Sequence, residues 1–71
     1  MIYVNSALKQ EEIIQLLEAL DGDIKFKYLS KQGIRLSFVI DGGEKAEAAE
    51  LAKQTIKSSE FGASLYFQVT L

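Results

Sequence analysis

This 71-residue chain contains no cysteine, no histidine and no proline. Without cysteine, the chain forms no disulfide and holds no thiolate-ligated iron–sulfur cluster. Without cysteine and histidine, it also lacks the ligands of structural zinc. A domain of this length buries only about 60% of the surface that its unfolded chain exposes. Its stability must therefore come from close packing or from a partner.

Neither charge sign dominates, since eight basic residues stand against ten acidic ones and the formal net charge is −2. The whole-molecule field therefore does not attract nucleic acid or acidic membranes. No apolar run reaches the ~18 residues of a membrane span, and Met1 is not followed by a signal-peptide pattern. Hydrophobic residues make up 48% of the chain, which is typical of a globular core. We expect a single domain spanning residues 1–71 and a cytoplasmic location.

Hydrophobic spacing divides the chain into six elements. Alternation with period two predicts strands, whereas apolar residues three and four apart predict helices. Two alternating runs joined by a short loop with Gly33 favour a hairpin. The predicted order is a strand at 2–4, a helix at 7–20, strands at 24–28 and 34–40, a helix at 44–58 and a strand at 65–71.

The segment Asp41-Gly42-Gly43-Glu44 precedes the second predicted helix. A phosphate site at the helix N-terminus is one interpretation. However, two acidic residues flank the glycines and would repel a phosphate. We favour a turn in which Asp41 caps the helix and Glu44 reaches back to it, as in a capping box.

Right-handed crossovers would place both helices on one face of a four-stranded antiparallel sheet with the order 4-1-3-2. This βαββαβ arrangement resembles the ferredoxin-like (split βαβ) superfold of the α+β class over the whole chain. The superfold hosts many unrelated functions. Its heavy-metal-binding members need cysteines, and its acylphosphatases need an arginine in the first loop, whereas the only arginine here is Arg35.

No group of residues predicts catalysis. The acidic residues fall on helix surfaces opposite the apolar stripes, as in any solvated helix. Without histidine or cysteine in the chain, no residue is available to activate Ser58, Ser59 or Ser64 as a nucleophile. We therefore expect no enzyme activity, no cofactor and no metal.

The sheet face opposite the helices is the best remaining candidate for function. We expect the inward positions, including Ile34, Leu36 and Phe38, to pack against the helices. The candidate interaction surface on the other face is then Tyr3, Lys25, Lys27, Arg35, Val39, Tyr66 and Gln68. Tyr66 is its expected anchor, because tyrosine offers a large amphipathic area at little entropic cost.

The simplest interpretation of this face is an ordinary solvated sheet, whose lysines and arginine keep the protein soluble and whose tyrosines pair across strands. If the face has a function, three functions fit it. A small non-catalytic module that binds another protein or itself, as an adaptor, regulator or inhibitor, is favoured because tyrosine and arginine are typical interface residues. Weak binding of single-stranded RNA is an alternative, although three basic residues neutralise few phosphates. A small-ligand sensor would need a cleft between two subunits. We expect no membrane contact.

Overall fold

The computed structural model describes residues 1–71 and has the α+β architecture that the sequence predicts. Two helices accompany four strands, with a short 3₁₀ turn before the last strand. In chain order the elements are β1 (Ile2–Asn5), α1 (Gln10–Glu18), β2 (Lys25–Gln32), β3 (Arg35–Asp41), α2 (Lys45–Lys57), the 3₁₀ turn (Gly62–Ser64) and β4 (Gln68–Thr70). Neither helix has the length and the apolar content of a membrane span.

The four strands form one antiparallel sheet in the order β2-β3-β1-β4. β1 and β3 are the central strands, as predicted, and β2 and β4 are the edges. Register is fixed between the central strands, where Ile2 lies opposite Phe38 and Val4 lies opposite Leu36. Because directly opposed residues point to the same side of a sheet, this register places four apolar side chains on one face.

Both helices pack on that face and close a single core. The core brings together apolar residues from β1, β2, β3, α1 and α2. Its buried members are Ile2, Val4, Ile13, Leu17, Phe26, Leu36, Phe38, Ala48, Ala52 and Ile56. Phe38 lies at its centre, with its ring edge-on to Phe26 at 6.4 Å and to Tyr28 at 5.9 Å between ring centroids. Alanines at two of the three buried α2 positions let this helix lie close to the sheet.

Both helices are shorter than their hydrophobic patterns predict, and the predicted cap of the second helix is wrong. Glu44 is the N-cap of α2 but makes no capping hydrogen bond with its side chain, and Asp41 still belongs to β3. The turn depends instead on Gly42, which has a φ of 95°. A Cβ atom at Gly42 would lie 1.9 Å from the carbonyl oxygen of Asp23, so any other residue would collide with the backbone.

Two strand predictions also need correction. Ile34 was expected in the core, yet it precedes β3 at the turn of the hairpin and is 54% exposed. The last strand was expected to begin at Leu65, but the chain first makes its 3₁₀ turn and β4 begins only at Gln68. In both cases the alternation of apolar residues continues past the end of the strand, so the pattern overestimates its length.

Candidate functional site

The sheet face opposite the helices is open, and the register places its side chains in rows. Tyr3 on β1 has Ser37 of β3 on one side and Thr70 of β4 on the other. In the next row, Asn5 is flanked by Arg35 and by Gln68 of β4. The sequence therefore located Tyr3, Arg35 and Gln68 on the correct face.

Arg35 and Tyr3 are in direct contact on the two central strands of this face. The guanidinium carbon of Arg35 lies 4.9 Å from the centroid of the Tyr3 ring. A cation placed over an aromatic ring at this distance contributes about 0.5–1 kcal/mol at an exposed site. The pair holds both side chains in place, and it also covers part of the half-buried Tyr3 ring.

The β2 side of the face carries the other predicted surface residues. Lys27 lies opposite Val39, and Lys25 lies opposite Asp41. Val39 is exposed and lines a depression that Lys25, Lys27 and Asp41 also line. Lys25 also pairs with Asp21 at 3.0 Å, so carboxylates offset much of the positive charge at this end of the face.

Tyr66 lies outside β4, on the segment that leads into it, and is 81% exposed. Its hydroxyl accepts a hydrogen bond from the Gln68 amide at 3.3 Å. The Tyr66 side chain lines a cavity of about 330 Å³ together with Leu8 and Ile34. These two side chains are themselves 69% and 54% exposed. We call Leu8, Ile34 and Tyr66 the apolar corner.

Hydrogen bonds fix the loops that form the apolar corner. The backbone N–H of Ser6 donates to the carbonyl oxygen of Ile34 at 2.8 Å. The Gln10 side-chain amide donates to the carbonyl oxygens of Ser6 at 2.8 Å and Gly33 at 3.0 Å. These bonds join the β1–α1 loop to the hairpin turn. Lys9, at the end of the loop, has a left-handed φ of 60°, a conformation that costs about 1–2 kcal/mol for a non-glycine residue.

Sequence patterns identified only Tyr66 among the three residues of the apolar corner. The alternation predicts Ile34 in the core, and the helical spacing places Leu8 in the first helix, which begins instead at Gln10. A signal for Ile34 was present, because it directly follows the turn glycine Gly33 and so lies at the tip of the hairpin. Nothing in the local sequence links Leu8 to Tyr66, since their proximity depends on tertiary structure.

This surface combines exposed apolar side chains, two tyrosines and a few cations. No buried side-chain nitrogen or oxygen atom lacks a hydrogen-bond partner, and no three acidic side chains are grouped to hold a metal ion.

Comparisons with models of protein families, with curated proteins and with solved structures found no match to this chain.

Proposed function

We propose that this protein is a small non-catalytic module that binds another protein through the apolar corner and the adjoining open face of the sheet. The observation that carries the proposal is the convergence of Leu8, Ile34 and Tyr66 from three separate loops. Single exposed apolar residues are common, whereas clustered ones mark interaction sites. Burial of these side chains against a partner would stabilise the complex.

The surrounding surface supports this proposal. Tyrosine and arginine are the residues most enriched among interface hot spots, together with tryptophan. The Tyr3–Arg35 contact orders two such side chains before any partner arrives. The hydrogen bonds of Ser6 and Gln10 do the same for the loops. A surface that is ordered in advance loses less entropy on binding.

The proposal includes assignment of the fold to the ferredoxin-like superfold. The chain order βαββαβ supports it, and so does the sheet order, which reads 4-1-3-2 when counted from the β4 edge. The superfold does not itself indicate a function, so the functional argument depends on the surface alone.

Affinity capture with matched variants tests the proposal. The wild-type protein, Tyr66→Ala and the double variant Leu8→Ser/Ile34→Ser would each be immobilised. The amount of partner protein that each retains from a cell extract would then be compared. Glu47→Ala, on the exposed surface of α2, is the control. We expect the corner variants to weaken binding of the captured protein about fivefold or more, which corresponds to about 1 kcal/mol per hot spot. The control should bind as the wild type does.

Sedimentation velocity on the same proteins tests whether the partner is a second copy of the chain. Equal capture by all the variants would refute the proposal. Binding that falls steeply with salt and disappears after nuclease treatment would instead support an RNA ligand.

A further inference from the structure

The two edges of the sheet differ in how well they are protected against pairing with another chain. β2 carries Lys25, Lys27 and Lys31, and a bulge interrupts its register with β3. In addition, the backbone N–H of Tyr28 donates to the Glu18 carboxylate of α1 at 3.0 Å. Edge lysines, bulges and covered backbone groups all hinder the addition of a further strand.

β4, at the opposite edge, has none of these protections. It pairs with β1 on one side only, and no side chain forms a hydrogen bond with its backbone. The segment Phe61–Leu71, which contains β4, has no charged side chain. The outward backbone groups of β4 are therefore available to an added strand.

A groove runs along this open edge. It has a volume of about 530 Å³ and lies between β4 and α2. Half-buried Leu65, Phe67 and Val69 provide apolar surface, and the exposed side chains of Lys53 and Lys57 contribute from α2. No acidic residue lines the groove. An unpaired strand edge beside a helix is the geometry in which a peptide can bind as an additional strand.

The two lysines give the groove a charge preference. Residues four apart lie on the same side of a helix, so Lys53 and Lys57 face the groove together. Neither lies within 4.0 Å of a carboxylate, because the ion pairs of the protein are Lys9–Glu12 and Lys25–Asp21. A ligand with acidic side chains would supply the missing partners.

We infer that the groove binds an extended acidic segment of a partner protein, which adds to β4 as a fifth strand and contacts Lys53 and Lys57. A second copy of this chain fits less well, because its own β4 is uncharged and would leave both lysines unpaired. The inference rests on the proposed function and specifies it further by naming the class of partner. Tyr66 links the two sites, since it lines both the groove and the cavity of the apolar corner.

Fluorescence polarisation with a labelled short peptide that alternates valine and glutamate tests the inference. We expect the wild-type protein to bind this peptide and to bind a valine–lysine peptide much more weakly. Lys53→Gln and Lys57→Gln should each weaken binding about threefold, and the double variant about tenfold, as for exposed ion pairs. Lys45→Gln, which removes the same charge from α2 outside the groove, is the matched control.

N-methylation of the peptide tests whether it binds as a strand. Only alternate residues of an added strand direct their N–H groups at the edge that they pair with. Methylating one alternate set of peptide amides should abolish binding, whereas methylating the other set should have little effect. If both methylated peptides bind as well as the parent, strand addition is refuted.

Variants of the apolar corner separate this inference from the proposed function. Leu8 and Ile34 do not line the groove, so Leu8→Ser/Ile34→Ser should leave peptide binding unchanged. Loss of binding in this double variant, with no effect of the lysine variants, would place the peptide on the corner and overturn the inference. Absence of any peptide binding would also overturn it, while the capture experiment would still decide the proposed function.

Discussion

Replacing Phe38 with alanine should remove most of the stability of this domain. Phe38 is completely buried on a central strand, and its ring makes two edge-to-face contacts. Truncation of a buried phenylalanine costs about 3–5 kcal/mol in total, and two aromatic contacts of about 0.5–1.5 kcal/mol each place Phe38 toward the upper end of this range. We therefore expect a loss of about 4–5 kcal/mol. Small domains have a total stability as low as about 5 kcal/mol, so Phe38→Ala should be close to its unfolding midpoint.

Urea denaturation followed by circular dichroism measures this loss, with trimethylamine N-oxide added if the variant is largely unfolded in buffer. Val39→Ala is the matched control, because Val39 is the next residue on β3 and lies on the exposed face. It should change the free energy of unfolding by about 0.5 kcal/mol or less. A loss below about 1 kcal/mol for Phe38→Ala would mean that Phe38 is not in the core, and the whole strand phasing would then be wrong.

Substitutions at three further sites test the open face, a backbone contact and the β2 edge. Tyr66→Ala should change the free energy of unfolding by about 0.5 kcal/mol or less in thermal melts, because the ring is largely exposed; a large loss would show that the face is covered. Gly62→Ala would place a Cβ atom 1.7 Å from the carbonyl oxygen of Ile56 and should destabilise the fold by several kcal/mol. Its control, Gly22→Ala, meets nothing within 4 Å and should fold normally. Glu18→Ala should increase light scattering at high protein concentration, because it uncovers an edge N–H group. Its control, Glu18→Gln, keeps an oxygen acceptor and should not.

Sequence periodicity predicted the elements and the central strands because one-sided burial determines both. Each strand that packs on the helices must place alternate apolar residues inward, and Leu36 and Phe38 do so with complete burial. The predicted strand order placed Tyr3 and Arg35 on adjacent strands, and the pairing of β1 with β3 and the 4.9 Å contact show this arrangement. Patterns that report on burial therefore located the residues near the middle of the sheet correctly.

Periodicity fails at the ends of elements, where tertiary contacts replace burial as the determining factor. Ile34 continues the alternation of β3, yet its carbonyl oxygen bonds to Ser6 at the hairpin turn and its side chain projects into solvent. The start of α1 depends on the left-handed conformation of Lys9, which no propensity favours. The apolar corner is composed of such end residues, so sequence patterns could identify only Tyr66.

The protected β2 edge and the open β4 edge differ in what they can pair with. β2 is the longest strand, so an unprotected β2 edge would offer the largest template for aggregation. Its protection depends on Glu18, which lies ten residues before the N–H group that it covers.

β4 has only three residues. This short length limits pairing between copies of the chain, although β4 itself carries no charged side chain. A partner with its own acidic side chains can compensate for the short strand through Lys53 and Lys57, whereas an identical chain cannot. The open edge would then admit a complementary segment while remaining a poor template for self-association.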